Sequence, residues 1–194
     1  QMEDPAKAKG LVKRDIVRVV TPGTVIDNTQ LVESQNNYLC AVCFDGNSAG
    51  IAFVDVSTGE MTASGFEGND TEDRILNEFG IYQPKEIMLS DSPDLHPRIN
   101  EFASQRLHAF ITGRKDERFD YVKCLASVSR QFGAVGKEAA ERGTSIVRAI
   151  GALLSYIAET QMTEVTNVSK LTLFDDGQYL ELDLATRRNL ELCE

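Results

Sequence analysis

Three carboxylates in the first third of the chain, Asp45, Asp55 and Glu60, have side chains that could hold Mg²⁺. Clustered carboxylates that bind two such ions can cleave phosphodiesters. A cluster of this kind needs an acid inside the first strand, and the first apolar run, residues 38–44, contains none. Asp45 follows that run, and Asp55 and Glu60 flank a turn, so we interpret all three as solvated turn residues. The sequence predicts no catalytic residue, no cofactor-binding residue and no metal ligand.

The cysteines are a second group that could do chemistry, since Cys40-Ala-Val-Cys43 has the C-x-x-C form. The pair lies in a continuous apolar run, and side chains three apart on a strand point to opposite faces. We therefore expect both thiols in the core. Cys124 and Cys193 have no partner at a recognisable spacing, so the cysteine usage indicates a reducing compartment.

Two further motifs give only weak evidence of a functional site. Residues 133–137, Gly-Ala-Val-Gly-Lys, are similar to a phosphate loop, but Gln131 stands where its first glycine belongs and Glu138 where its Mg²⁺-binding hydroxyl belongs. A loop or a helix end is the better interpretation. His96 and His108 have no Cys, His or carboxylate at a ligand spacing, and we expect both on the surface near helix ends.

The elements that would position these residues begin with three predicted strands, residues 37–44, 50–56 and 61–66. Tight turns join them in succession, which indicates an antiparallel meander. Two short strands, residues 86–89 and 107–111, then alternate with helices, and helical crossovers favour parallel pairing. The predicted fold class is α/β, with a ribonuclease H-like mixed sheet in which a three-strand antiparallel meander is extended by parallel strands and flanked by helices.

Helical periodicity predicts four helices in the same region. The first covers residues 72–79, with Thr71 as its cap and Gly80 as its end, and the second covers residues 93–105. The third covers residues 121–132, before Gly133, and the fourth and strongest covers residues 144–160. Ile150 and Leu154 lie on the apolar stripe of the fourth helix. Near the end of the chain, residues 170–174 and 179–182 predict a hairpin, and Asp183 a helix N-cap.

Charge and composition limit the function classes. The chain has 194 residues, 42% of them hydrophobic, and a formal charge of -10. Residues 1–24 carry five cations against three anions, so the remainder carries -12 and is a poor non-specific binder of nucleic acid. No apolar run approaches the roughly 20 residues of a membrane helix, and no basic stretch precedes an apolar one at the start. We expect a cytoplasmic protein that does not contact the membrane.

One stretch departs from this acidic background. Residues 98–118 hold five cations, Arg98, Arg106, Arg114, Lys115 and Arg118, against three anions. The simplest interpretation of this stretch is a solvated face. The more specific interpretation is a docking surface for an acidic partner, and residues 121–132 are the alternative docking site.

Six segments together resemble one family, the MutS family of DNA mismatch repair proteins. Residues 3–5, 9–14 and 17–24 are similar to the end of its mismatch-binding domain. Residues 36–41 and 50–60 are similar to the first strands of its connector domain, and residues 183–192 to the opening helix of its core domain. The resemblance implies three parts: residues 1–24, the tail of the preceding mismatch-binding domain; residues 25–178, the connector; and residues 179–194, the start of the core domain. It also implies a fragment of a longer protein.

The resemblance further implies a non-catalytic connector that lies between DNA-reading and ATPase parts and offers a docking surface for MutL. The parent protein would bind ATP, Mg²⁺ and mismatched DNA through other domains, as a homodimer or larger assembly. Neither the Phe-x-Glu motif that reads the mismatch nor a Walker A loop occurs in this chain. An alternative from a different class stays open, a stand-alone ribonuclease H-like metal-dependent nuclease, whose activity would disappear in Asp55→Asn.

Overall fold

The computed structural model describes residue 21 and residues 37–113, 117–161 and 167–175. Its centre is a six-stranded mixed sheet: β1 (Tyr38–Asp45), β2 (Ser48–Asp55), β3 (Glu60–Glu67), β4 (Glu86–Leu89), β5 (Phe110–Gly113) and β6 (Lys170–Leu173). The spatial order is β5-β4-β1-β2-β3-β6. The β1–β2 and β2–β3 pairs are antiparallel, and the other three pairs are parallel. The predicted α/β architecture, a meander extended by parallel strands, is confirmed.

Within the described ranges, four α-helices cover the two faces of the sheet: α1 (Thr71–Tyr82), α2 (Pro97–Glu101), α3 (Tyr121–Arg142) and α4 (Thr144–Gln161). One buried cluster lies beneath α3 and α4 and includes Leu39, Ala41 and Cys43 of β1. The other lies beneath α1 and α2 and includes Cys40 and Val42. The alternation of β1 side chains between the two clusters follows from the two-residue period of a strand. Among the described residues, no helix is long and apolar enough to span a membrane.

Helix α4 lies against the middle of the sheet and contacts β1, β2 and β3 as well as α3. Ile150 is fully buried and Leu154 is 5% exposed, which confirms the predicted apolar stripe. Glycines permit the close approach of α4 to its neighbours. A Cβ atom on Gly50 of β2 would lie 2.2 Å from the backbone carbon of Ser145, closer than any real contact.

The first helix is shifted from the predicted bounds at both ends. Asp70 rather than Thr71 is the N-cap residue, and Thr71 is the first helical residue. The Thr71 hydroxyl donates to the Gly68 carbonyl, 2.7 Å away. Gly80 does not end the helix, because Gln83 adopts a left-handed conformation, with φ 47°, and donates its N–H to the Phe79 carbonyl. Pro84 follows, and the backbone of a residue before proline is disfavoured in a helix.

The second predicted helix, residues 93–105, is wrong as a single element. The segment contains a 3₁₀ turn, Pro93–Leu95, then α2, then a π-helical turn, Phe102–Arg106. Pro97 starts a new helix because its ring lacks the N–H that a continuing helix would use. The following strand is also displaced, from residues 107–111 to Phe110–Gly113, because the π-helical turn extends to Arg106 and His108 has a φ of 50°.

The third helix extends beyond Gly133, its predicted end, but bends there. Gly133 has φ 56° and ψ -114°, which a residue with a Cβ rarely adopts, and helical geometry resumes as far as Arg142. Strand β6 matches the first strand of the predicted hairpin, and it pairs with β3 in parallel. The second hairpin strand, the Asp183 helix and most of the predicted tail, residues 1–24, lie outside the described residues.

Candidate functional surfaces

Asp45, Asp55 and Glu60 do not converge on one site. The register of the β1–β2 pair places Asp55 opposite Tyr38 and Asp45 opposite Ser48, so the two aspartates lie at opposite ends of the hairpin. Seven strand steps of about 3.4 Å separate these ends, roughly 24 Å. Among the described residues, no group of three His, Cys, Asp or Glu side chains could hold a metal ion.

Asp55 corrects the interpretation of these acids as solvated turn residues. Its side chain is buried, at 3% exposure, and its carboxylate accepts hydrogen bonds from the Ser57 N–H at 2.9 Å and the Ser57 hydroxyl at 2.5 Å. It therefore fixes the turn that joins β2 to β3. The interpretation is right for Asp45 and Glu60, which are exposed.

The C-x-x-C pair lies in a strand with its two thiols on opposite faces, as expected. Cys40 and Cys43 are both buried, and both are free thiols, as is Cys124. Burial raises the pKa of Cys40 and of Cys43. Burial, with the nearby Cys43 as a smaller cause, also raises the pKa of Cys124 to about 12. These thiols therefore have little thiolate character at neutral pH. Cys193 lies outside the described residues.

The glycine-rich segment, residues 133–137, lies within the bent α3 rather than in a loop or at a helix end. Gly136 is buried, and a Cβ atom there would lie 2.6 Å from the Val128 carbonyl oxygen. Its lack of a side chain allows the second half of α3 to pack on the first half.

His96 corrects the expectation that both histidines are surface residues. Its side chain is only 14% exposed, and its ring stacks on Phe44 with the centroids 3.7 Å apart. The Nδ1 atom lies 3.2 Å from Glu72 Oε1, and Nε2 lies 3.9 Å from Asp91 Oδ2. These carboxylates come from α1 and from the loop after β4, so sequence spacing did not reveal them. His108 is exposed, as expected.

Two of the three described cations in the basic stretch pair with carboxylates of other elements. Arg98 pairs with Asp73 at 2.5 Å, and Arg118 pairs with Glu159 at 3.0 Å. Arg114 and Lys115 lie outside the described residues. Arg106 is exposed and forms no ion pair within the part of the chain that the structure describes.

Close to Arg106, strand β5 forms one edge of the described sheet. Phe110, its first residue, is 55% exposed although it is a large aromatic side chain. His108 and Arg106 precede it and are also exposed. We call Arg106, His108 and Phe110 the β5 edge surface. Exposed aromatic and arginine side chains are enriched in protein–protein interfaces.

A second polar group lies at the amino end of β4, at the opposite end of the strands from Asp45. Glu86 is fully buried, and its Oε1 accepts a hydrogen bond of 2.5 Å from the Tyr156 hydroxyl of α4. The Arg118 guanidinium lies 5.4 Å from the centroid of the Tyr156 ring and pairs with Glu159, one turn along α4. We call Glu86, Tyr156, Arg118 and Glu159 the Tyr156 cluster.

Comparisons with known proteins assign two segments of this chain to the same family. The sequence model of MutS domain II matches residues 37–171, and that of MutS domain I matches residues 1–29. A DNA mismatch repair protein MutS of Ruminiclostridium cellulolyticum is 37% identical over the whole chain, and one of Symbiobacterium thermophilum is 39% identical over 99% of it. The chain spans 22% of the length of each of these relatives, about a fifth.

Proposed function

The chain belongs to the MutS family, and from this we propose that it is the connector region of a mismatch-recognition ATPase, which couples DNA-binding and ATPase parts and offers a docking surface for MutL. The observation that carries the proposal is that the two buried carboxylates of the described body, Asp55 and Glu86, both make internal hydrogen bonds. Asp55 fixes a turn, and Glu86 bonds Tyr156. A domain of this kind acts through its surface and by transmitting movement between its neighbours.

For the docking surface we favour the β5 edge surface over the wider basic stretch. Arg98 and Arg118 already have carboxylate partners, whereas Arg106 has none among the described residues. The partner this surface fits is an acidic patch of MutL with an apolar recess for the Phe110 ring. Charge contrast speeds and orients the encounter, and burial of the aromatic side chain slows dissociation.

The test uses the full-length protein and its cognate MutL, with association and dissociation followed by surface plasmon resonance at two salt concentrations. Arg106→Glu should slow association about tenfold at low salt and less at high salt, and Phe110→Asp should speed dissociation. Val122→Asp is the matched control, because Val122 is 74% exposed but lies on α3. Unchanged kinetics in both edge variants, with slower association in the Val122 variant, would place docking on α3 instead.

The activities of the parent protein belong to the same proposal. We place ATP, Mg²⁺ and mismatch binding in regions outside this chain, which itself would have no catalytic site and no cofactor. The parent would be a cytoplasmic homodimer or larger assembly. The isolated chain should hydrolyse no ATP and should bind mismatched and paired duplexes equally. A mismatch preference above tenfold would contradict this assignment, and metal-dependent cleavage of nucleic acid that Asp55→Asn abolishes would favour the nuclease alternative.

A further inference from the structure

Strand β5 (Phe110–Gly113) has an outer edge that no other described strand covers. Within the described residues it is the last strand of the sheet and pairs with β4 alone. An edge strand presents backbone N–H and C=O groups that can pair with a further chain. The outer edge of β5 therefore offers main-chain groups to an extended segment.

The hydrogen bonds of β5 identify the residue whose backbone faces outward. The Phe110 N–H donates to the Lys85 carbonyl at 2.9 Å, so the backbone of Phe110 faces β4. Every second residue of a strand faces the same neighbour, and the register continues to Thr112, so the backbone of Thr112 also faces β4. Ile111 lies between them, and its N–H and C=O point away from the sheet.

This outer edge is held in position from both ends of the strand. Before its start, the Ala109 N–H donates to the Ala103 carbonyl of the π-helical turn at 2.9 Å. At its end, a Cβ atom on Gly113 would lie 2.2 Å from the Asp91 carbonyl oxygen, so the strand packs closely on the loop after β4. A partner that binds such a preformed strand pays a smaller cost of ordering.

One face of the sheet is open beside this edge. Phe110 is opposite Glu86 in the register, so its ring lies on the same face as Glu86 and Tyr156 of α4. Helix α4 packs on β1, β2 and β3, whereas Phe110 is 55% exposed and Thr112 is also exposed. A side chain of an added strand can therefore pack on the Phe110 ring without displacing a described helix.

We propose that MutL docks by strand addition, with an extended acidic segment that pairs with the outer edge of β5. The inference rests on the docking function proposed above and names its mode. Main-chain bonds supply affinity in strand addition, and side-chain contacts supply specificity. Because β5 has only four residues, the Phe110 ring and the Arg106 charge must supply part of the affinity. A second copy is the less favoured occupant, since each chain carries a formal charge of -10.

Amide hydrogen exchange at single-residue resolution tests the main-chain bond directly, in the full-length protein with and without its cognate MutL. The Ile111 amide should exchange about tenfold more slowly in the complex, because its N–H gains a hydrogen-bond partner. The Thr112 amide is the internal control and should change little, because it faces β4 in both states. An unchanged Ile111 rate in a complex that has formed would overturn strand addition.

A pair of variants at Ile111 tests the same bond by kinetics. Ile111→Pro removes the outward N–H, and proline is tolerated at an edge position whose N–H faces solvent. MutL should dissociate about tenfold faster from this variant, because a main-chain carbonyl of the partner loses its donor. Ile111→Ala shortens the side chain but keeps the N–H, so it is the matched control. Equal dissociation rates from the two variants would overturn the inference, and the exchange measurement decides the matter if the proline variant does not fold.

The docking proposal and its mode fail in different ways. Faster dissociation from Phe110→Asp together with an unchanged Ile111 amide would retain docking and overturn strand addition. Unchanged MutL kinetics in both Arg106→Glu and Phe110→Asp would overturn docking itself. Slower exchange at Ile111 when the protein is concentrated without MutL would assign the edge to a second copy and overturn the choice of partner.

Discussion

The packing of α4 on α3 depends on Gly151, and this makes Gly151→Ala a sharp perturbation. A Cβ atom at Gly151 would lie 2.4 Å from the Cβ of Cys124 and 2.6 Å from both its Cα and its Sγ. Ordinary van der Waals contact begins at 3.4 Å, so the two helices would have to separate by up to about 1 Å. Neither the Cβ nor the Cα of Cys124 can move without its helix.

The expected cost follows from two opposing effects. Overpacking of a well-packed core costs about 1–3 kcal/mol. Alanine is favoured over glycine inside a helix by about 1 kcal/mol, which offsets part of that cost. Because the close contacts involve the Cα and Cβ of Cys124, we take the overpacking cost as about 2–3 kcal/mol. We therefore expect a net loss of about 1–2 kcal/mol in the free energy of unfolding, a decrease of roughly 2–8 °C in Tm for a domain of this size.

Urea denaturation followed by far-UV circular dichroism measures this loss. Ser155→Ala, on the same helix at a half-buried position, is the control and should stay within about 0.5 kcal/mol of the parent chain. Cys124→Gly combined with Gly151→Ala removes two of the three close contacts and should recover part of the loss. An unchanged or higher stability in Gly151→Ala would refute the close approach of the two helices.

Two other predictions concern the same core. Ile150→Asp and Leu154→Asp, at positions 0% and 5% exposed, should abolish the cooperative thermal transition, because a buried unpaired carboxylate costs several kcal/mol against a total stability of about 5–15 kcal/mol. Val122→Asp, at a position 74% exposed, should leave Tm nearly unchanged. Equal losses of Tm in all three variants would contradict the burial assignments. Stability should also fall as pH rises above about 9, because the folded-state pKa values of Cys124 and Tyr156 are raised to about 12 while the unfolded chain loses these protons near 9 and 10. Urea midpoints between pH 8 and 11 should decline less steeply in Cys124→Ala than in the parent chain, and parallel slopes would argue against a raised thiol pKa.

Local sequence signals were sufficient to predict the elements at the centre of the fold. Tight turns at residues 45–48 and 57–60 limit where the meander strands can end, and the observed strand bounds differ from the predicted ones by at most two residues. The α4 stripe has many apolar residues at helical spacing, so its bounds differ by one residue at most. The structure of such periodic segments can be predicted from local sequence, because each residue's environment repeats along the element.

Residues 93–113 were predicted less well because competing local preferences are nearly balanced there. Leu95, Ile99 and Phe102 have helical spacing, but Pro97 interrupts the hydrogen bonding, and Leu95 is 67% exposed. A π-helical turn adds a residue to the helical register, which moves the following strand along the chain.

The partners within the polar clusters could not be predicted without the fold, and Glu86 illustrates why. Its strand was predicted correctly, and a carboxylate at the start of a short buried strand is a signal that a partner exists, since an uncompensated charge there would be costly. The partner, Tyr156, is 70 residues away, and nothing in its own helix distinguishes it from a residue that faces solvent. The crossover that places α4 beside the amino end of β4 brings the two together. Tyr156 is thus fixed at its ring by Arg118 and at its hydroxyl by Glu86, two residues that no local sequence pattern connects to it.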